Sequence, residues 1–146
     1  MLTIEQVTSV NLELLQAMLR LVPQLTSNNP PPTPDELEAM LNSDSSILFI
    51  ARHSDFDEII GMATLVLYRV PTGLRGYIED VVVEIHARGR GIGEALTRAC
   101  LEHAKKAGVP QVGLTSNPGR MAANHLYQRM GFEIRQTNAY RYTFKG

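Results

Sequence analysis

The sequence predicts an α/β domain in which helices layer on a mixed β-sheet. Three observations carry this prediction. Apolar runs rich in β-branched residues alternate along the chain with segments whose leucines recur at helical spacing. Ile47–Ala51 and Ile59–Val70 flank a polar turn from His53 to Glu58, the pattern of a hairpin. Tyr77–Val83 then runs through Gly89-Arg-Gly-Ile-Gly93 into a helical repeat. The expected order is β α α β β β α β α β β, in one domain over residues 1–146.

Leu2–Val7 alternates and opens the chain as a strand. Val10–Val22 places Leu12, Leu15, Leu19 and Val22 on a helical stripe that Pro23 is expected to close. Thr26–Pro34 is a stiff, polar connection and a candidate rim for a substrate pocket. Thr33, Pro34 and Glu36 have the spacing of a capping box, and Leu37, Met40 and Leu41 give the short helix behind them a buried side. After the hairpin, Pro71-Thr-Gly73 turns the chain into a central strand starting at Gly76, where Val81, Val82 and Val83 read as buried on both faces. A helix from about Gly91 to Lys106 carries Ile92, Leu96, Ala99 and Leu101, with Lys105 and Lys106 at its end and Gly108 and Pro110 beyond. Val112–Ser116 reads as a strand, Asn117-Pro-Gly119 as a turn, and Met121–Met130 as a helix stopped by Gly131. Phe132–Arg135 and Tyr140–Phe144 alternate as two last strands around Asn138.

Composition narrows the function. A net charge of −1 gives no global field for nucleic acid or an anionic membrane, so any basic site must be local. No apolar run reaches the roughly 20 residues that span a bilayer, and Met1–Glu5 lacks the features of a signal peptide. Cys100 is the single cysteine, cannot form an internal disulfide, and makes a reducing cytoplasm the expected home. It reads as a buried small hydrophobe. His86, His103 and His125 are not at metal-ligand spacing, and no metal is expected.

The glycine-rich loop is the chemical signal. A helix N-terminus offers unpaired N–H groups and a positive dipole end, which suits a phosphate. Arg88 and Arg90 add charge there. A Walker loop needs Lys and Ser or Thr after its last glycine, but Glu94-Ala95 follows Gly93. A Rossmann loop counted from Gly89 or Gly91 would put its third glycine at Glu94 or Leu96. What remains is Arg88-x-x-Gly91-x-Gly93 behind an apolar strand. This resembles the acetyl-CoA pyrophosphate loop of the GNAT superfamily of N-acetyltransferases. A second stretch, Asn124-x-x-Tyr127 with Gly131-Phe132 after it, also resembles that family, and residues three apart share a helix face. The resemblance covers nearly the whole chain. It implies a mostly antiparallel sheet, acetyl-CoA as co-substrate, and cofactor contacts from Val81, Val82, Val83, Arg88, Gly89, Arg90, Gly91, Ile92, Gly93, Asn117, Asn124 and Tyr127.

Acetyl transfer to an amine makes demands on the residues. The amine must lose a proton, and free alkylammonium groups have pKa values near ~10. Glu79 and Asp80 lie on the central strand, where alternation sends them to opposite faces. Glu79 is the favoured base and Asp80 the second. Unpaired backbone of Val81–Val83 is a candidate oxyanion donor if the strand splays, and by resemblance Tyr127 sits beside the thioester sulfur. Ile78-Glu79-Asp80-x-Val82-Val83 also resembles glucosamine-6-phosphate N-acetyltransferases. The acidic pair points to a cationic amine acceptor, on a small molecule, peptide or protein. Two rivals remain: a non-catalytic acyl-CoA-binding or sensing module, and transfer of a different acyl group. Acceptor contacts are expected from Thr26–Thr33, Arg69–Arg75 and the region of Asn138, and the last strands could pair between subunits of a homodimer.

Overall fold

The alternating segments build one sheet. In the computed structural model, which describes residues 1–146, the strands are β1 (Leu2–Val7), β2 (Ser46–His53), β3 (Gly61–Val70), β4 (Gly73–Val83) and β5 (Val112–Leu114). They lie in the order β1-β2-β3-β4-β5. The first four pair antiparallel, and β5 runs parallel to β4. The helices are α1 (Leu12–Leu25), α2 (Pro34–Leu41), α3 (Ile92–Lys106) and α4 (Met121–Met130). The mixed, mostly antiparallel α/β class expected from the sequence is the one observed. The chain forms two compact units, Met1–Thr115 and Ser116–Gly146.

In the first unit the sheet is covered on both faces. Leu48 and Ile50 of β2, Met62 of β3 and Val82 of β4 join Leu14, Ala17, Met18 and Leu21 of α1 and Leu37 of α2 in one core. On the other face Phe49 meets His103 of α3 edge-on, with ring centroids 5.8 Å apart. A Cβ on Gly61 would stand 3.1 Å from Leu96 and 3.3 Å from Ile92, so α3 lies close over β3. The stripe that α3 buries is Ile92, Leu96, Cys100 and Ala104, with Thr97 beside it. Ala99 and Leu101 are only half-buried. Thr97 is tolerated there because its hydroxyl donates to the Gly93 carbonyl at 2.8 Å.

Several expectations are corrected. α1 does not stop at Pro23 but contains it and runs to Leu25. A proline this near the C-terminus removes one intrahelical donor and leaves the last turn standing. The face that α1 buries is Leu14, Ala17, Met18 and Leu21, while Leu12 and Leu19 are exposed. With apolar residues on both sides of the helix, the stripe that meets the sheet is decided by packing. Asn11 caps it by accepting from Leu14 N–H at 2.8 Å. β4 starts at Gly73, not Gly76, because the β3–β4 hairpin pairs from Val70 and Gly73 onward. Phe132–Arg135 and Tyr140–Phe144 form no strands. Alternation is a licence to pair, and no backbone partner within the chain takes it up.

The capping box holds as expected. Glu36 N–H donates to Thr33 Oγ1 at 3.2 Å and Thr33 N–H to Glu36 Oε1 at 2.9 Å. Pro34 stands at the start of α2.

Candidate active site

β4 is irregular where the candidate base lies. Met62 pairs with Val82 and Thr64 with Glu79, so Asp80 and Val81 together face one residue of β3. This is a β-bulge. Asp80 has φ 54°, the chain's one non-glycine residue with positive φ, and aspartate is among the few side chains that enter this region readily. The expected alternation of Glu79 and Asp80 therefore breaks at this step. Glu79 pairs with Thr64 and Val82 with Met62, which places both on the α1–α2 face despite their odd spacing. Ile78 and Val83 pair with Leu65 and Gly61 on the α3 face. Of the three valines expected to be buried, Val82 alone is; Val81 and Val83 are half-buried, since the bulge lifts the strand out of register with its neighbour.

Glu79 and Asp80 are both exposed. Partial desolvation, then the nearby Asp80 carboxylate, raise the Glu79 pKa above the ordinary glutamate value. That shift suits a group meant to take a proton near neutral pH.

The chain leaves β4 through Glu84 and a 3-10 turn at Ile85–Ala87 before the loop. Gln24 at the end of α1 bonds both the Glu84 carboxylate and the Ile85 N–H, the latter at 2.9 Å. Arg88 Nε donates back to the Val83 carbonyl at 3.1 Å. Gly89 and Gly91 have φ 83° and 78°, and a Cβ on either would meet nothing within 4 Å. Their need is conformational, since left-handed backbone is costly for other residues. Gly91 is the N-cap of α3 and supplies no side-chain cap, and the first intrahelical bond is Ala95 N–H to the Gly91 carbonyl at 3.0 Å. The helix thus begins with backbone donors and open space ahead of it.

Arg90 is held rather than free. Its guanidinium pairs with Asp55 at 2.6 Å and lies 4.9 Å over the Phe56 ring. This bond lowers the Asp55 pKa, with His53 adding to the effect. Asp55, Phe56 and Gln24 thus brace the loop, and the sequence carries no local signal for such long-range partners.

The second unit holds the other group. Asn124 Nδ2 donates to the Asn117 carbonyl at 3.0 Å and to the Arg120 carbonyl at 2.8 Å. Its donors tie the turn to α4, which leaves Oδ1 as the atom to offer a ligand. Asn117 Oδ1 accepts from Gly119 N–H at 2.9 Å. Tyr127 is buried, with its ring edge-on to Phe132 at 5.6 Å. Gly131, φ 104°, ends α4, and Phe132 N–H donates to the Tyr127 carbonyl at 2.9 Å. Ser116 Oγ is buried without a hydrogen-bond partner, a polar atom that the sequence did not single out.

The chain is similar to known proteins. The chain is 37% identical over 75 residues to N-alpha-acetyltransferase 30 of Schizosaccharomyces pombe, a match covering 51% of this chain and 49% of that protein. It is 40% identical over 60 residues to glucosamine 6-phosphate N-acetyltransferase 1 of Oryza sativa subsp. japonica, covering 41% of this chain and 34% of the relative. The chain thus spans half or less of the length of these curated relatives. The crystal structure of an aminoglycoside acetyltransferase from an uncultured soil metagenomic sample superposes with a TM-score of 0.85 at 22% identity, covering 99% of this chain and 97% of that one. At that identity the likeness is one of fold. The model of the acetyltransferase (GNAT) family matches residues 14–132. The chain belongs to the acetyltransferase (GNAT) family.

Proposed function

We propose that the protein transfers an acetyl group from acetyl-CoA to a primary amine by direct attack in a ternary complex. The observation that carries this is the glycine-capped start of α3. It follows, after one 3-10 turn and the loop, on a bulged strand bearing a carboxylate of raised pKa. Backbone N–H groups at the start of α3, with Gly89 and Gly91 leaving room, would receive the pyrophosphate. Val81–Val83 would supply backbone to the acyl arm, and Asn117 and Asn124 would contact the pantetheine.

In the reaction the amine nitrogen attacks the thioester carbonyl carbon. Its proton passes to Glu79, directly or through water, with Asp80 adding negative charge that favours a cationic acceptor. A backbone N–H of Val81–Val83 would meet the oxyanion. The carbon–sulfur bond then breaks, and the thiolate leaves with a hydrogen bond from Tyr127. This role for Tyr127 rests on the likeness of its helix to that of the family. The relatives are named for N-alpha-acetyl transfer and for N-acetyl transfer to glucosamine 6-phosphate, a primary amine, and a primary amine is the acceptor class proposed here. We place the reaction in the cytoplasm, where the lone buried thiol of Cys100 stays reduced.

Calorimetric titration with acetyl-CoA, beside 3′-dephospho-acetyl-CoA, tests the cofactor. Micromolar binding is expected. An amine panel followed by thiol release then tests transfer. No binding of either cofactor sinks the reading; binding without thiol release from any amine makes the protein a sensor of acyl-CoA. Competition by longer acyl-CoAs reads the acyl preference.

A further inference from the structure

Arg90 is pinned by a turn that lies far from it in sequence. The β2–β3 turn closes on itself. Asp55 N–H donates to His53 Nδ1 at 3.0 Å, and Phe56 N–H donates to the His53 carbonyl at 3.0 Å. The His53 and Phe56 rings meet edge-on with centroids 5.9 Å apart. The turn is also fastened to α1, where Arg20 pairs with Glu58 at 3.1 Å and donates to the Ile59 carbonyl at 2.8 Å. What it presents to the glycine loop is a carboxylate beside a half-buried ring. That pair suits a guanidinium, whose edge donates to the carboxylate and whose flat face covers the ring. Arg90 uses both.

The loop needs such a hold. Glycine at 89, 91 and 93 leaves its backbone many conformations, and Gly89 and Gly91 must keep positive φ. A ligand that fits one conformation binds less tightly by the fraction of time the loop spends in others. Arg90 stands between Gly89 and Gly91, so fixing its side chain restrains both. Arg88, on the other side of Gly89, is tied to the Val83 carbonyl. The same contact takes Arg90 out of service as a free cation, because Asp55 already meets its charge.

We infer that Asp55 and Phe56 are positioning residues for acetyl-CoA. Through Arg90 they hold the glycine loop in its anion-binding form, and Arg90 serves as the brace and not as a ligand of the phosphates. This rests on the acetyl-CoA reading of the loop.

Calorimetric titration with acetyl-CoA, beside steady-state kinetics, tests it on Asp55→Asn, Phe56→Leu, Arg90→Met and the double variant of the first and third. Each single change should raise Kd for acetyl-CoA about three- to tenfold. KM should follow Kd in Asp55→Asn and Phe56→Leu while kcat stays in place, a split that a general loss of structure would not give. The double variant should bind no worse than Arg90→Met alone, and Arg90→Met should keep the salt dependence of the wild type. Tighter binding by Asp55→Asn overturns the inference, since Arg90 would then be a phosphate ligand that Asp55 restrains. So do losses that add in the double variant, losses confined to kcat, and variants that bind like wild type. Wild type that binds no acetyl-CoA removes the reading of the loop and this inference with it, whereas wild type that binds beside unaffected variants removes the inference alone. Asp55 and Arg90 are exposed, so their variants decide the matter even if Phe56→Leu fails to fold.

Discussion

At the scale of single residues, Glu79, the proposed proton acceptor, stands at an exposed strand position. Desolvation and Asp80 both favour its neutral form, so its pKa rises. The rate should therefore climb with pH through the upper carboxylate range before the amine's own ionisation takes over. Glu79→Gln should lower kcat/KM by about 10²-fold on the plateau and remove that lowest limb of the pH profile. An unchanged profile would assign the proton to another group. Tyr127→Phe should reduce turnover and leave acetyl-CoA affinity nearly intact, and steady-state kinetics beside calorimetry separate the two. Cys100 is the opposite case. Burial pushes its thiol up to about 12, so almost no thiolate exists at neutral pH. A thiol reagent should leave the native protein unlabelled and react fully once it is unfolded. Rapid labelling of the native state would reveal local opening of α3. The burial of Cys100 was readable from its residue type, a small hydrophobe inside a helix, while helical spacing had picked its neighbours Ala99 and Leu101. The bulge at Asp80 was not, because aspartate is common in turns and nothing beside it in sequence marks a left-handed residue inside a strand.

At the scale of elements, α3 depends on how it begins. A Cβ on Gly91 would meet no atom, so Gly91→Ala should cost only the left-handed backbone, about 1–2 kcal/mol. Gly91→Asn should cost less, since asparagine enters that region more easily. Urea denaturation of both variants checks the order; equal losses would mean that the side chain collides after all. The capping box of α2 and the β2–β3 hairpin were legible because their signals are local: a cap and its partner lie three residues apart, and a hairpin joins neighbours. The buried face of α1 was not. Leu12, Leu15 and Leu19 have helical spacing, yet Leu14, Met18 and Leu21 have it too, and the choice between them belongs to the sheet beneath. The last two strands failed for a related reason: their alternation is real, but a strand exists only when something pairs with it.

At the scale of the whole molecule, charge linkage should set the response to acid. Hydrogen bonds from Arg52 lower the pKa of Glu13, those from Thr33 lower Glu36, and that from Arg90 lowers Asp55. Each stabilises fully above the unfolded carboxylate value near ~4 and loses that contribution as pH falls through its lowered folded value. Glu79 has the opposite sign: its raised pKa costs stability once the pH exceeds the unfolded value. Thermal unfolding should thus show wild type losing stability below about pH 4. Glu79→Gln should gain a little at neutral pH and nothing at low pH. A variant advantage that persists in acid would place its origin outside ionisation. The extra residue in β4 has one last consequence, for chain length. Glu79 and Val82 share a face, although three positions apart, because one unpaired residue lies between them. Removing Asp80 would restore plain alternation and leave Val82 and Val83 on their faces, whereas inserting a further residue there would exchange those faces and turn the road into the glycine loop to the wrong side of the sheet. Among natural or engineered variants, this strand should accept loss of its one extra residue more readily than gain of another.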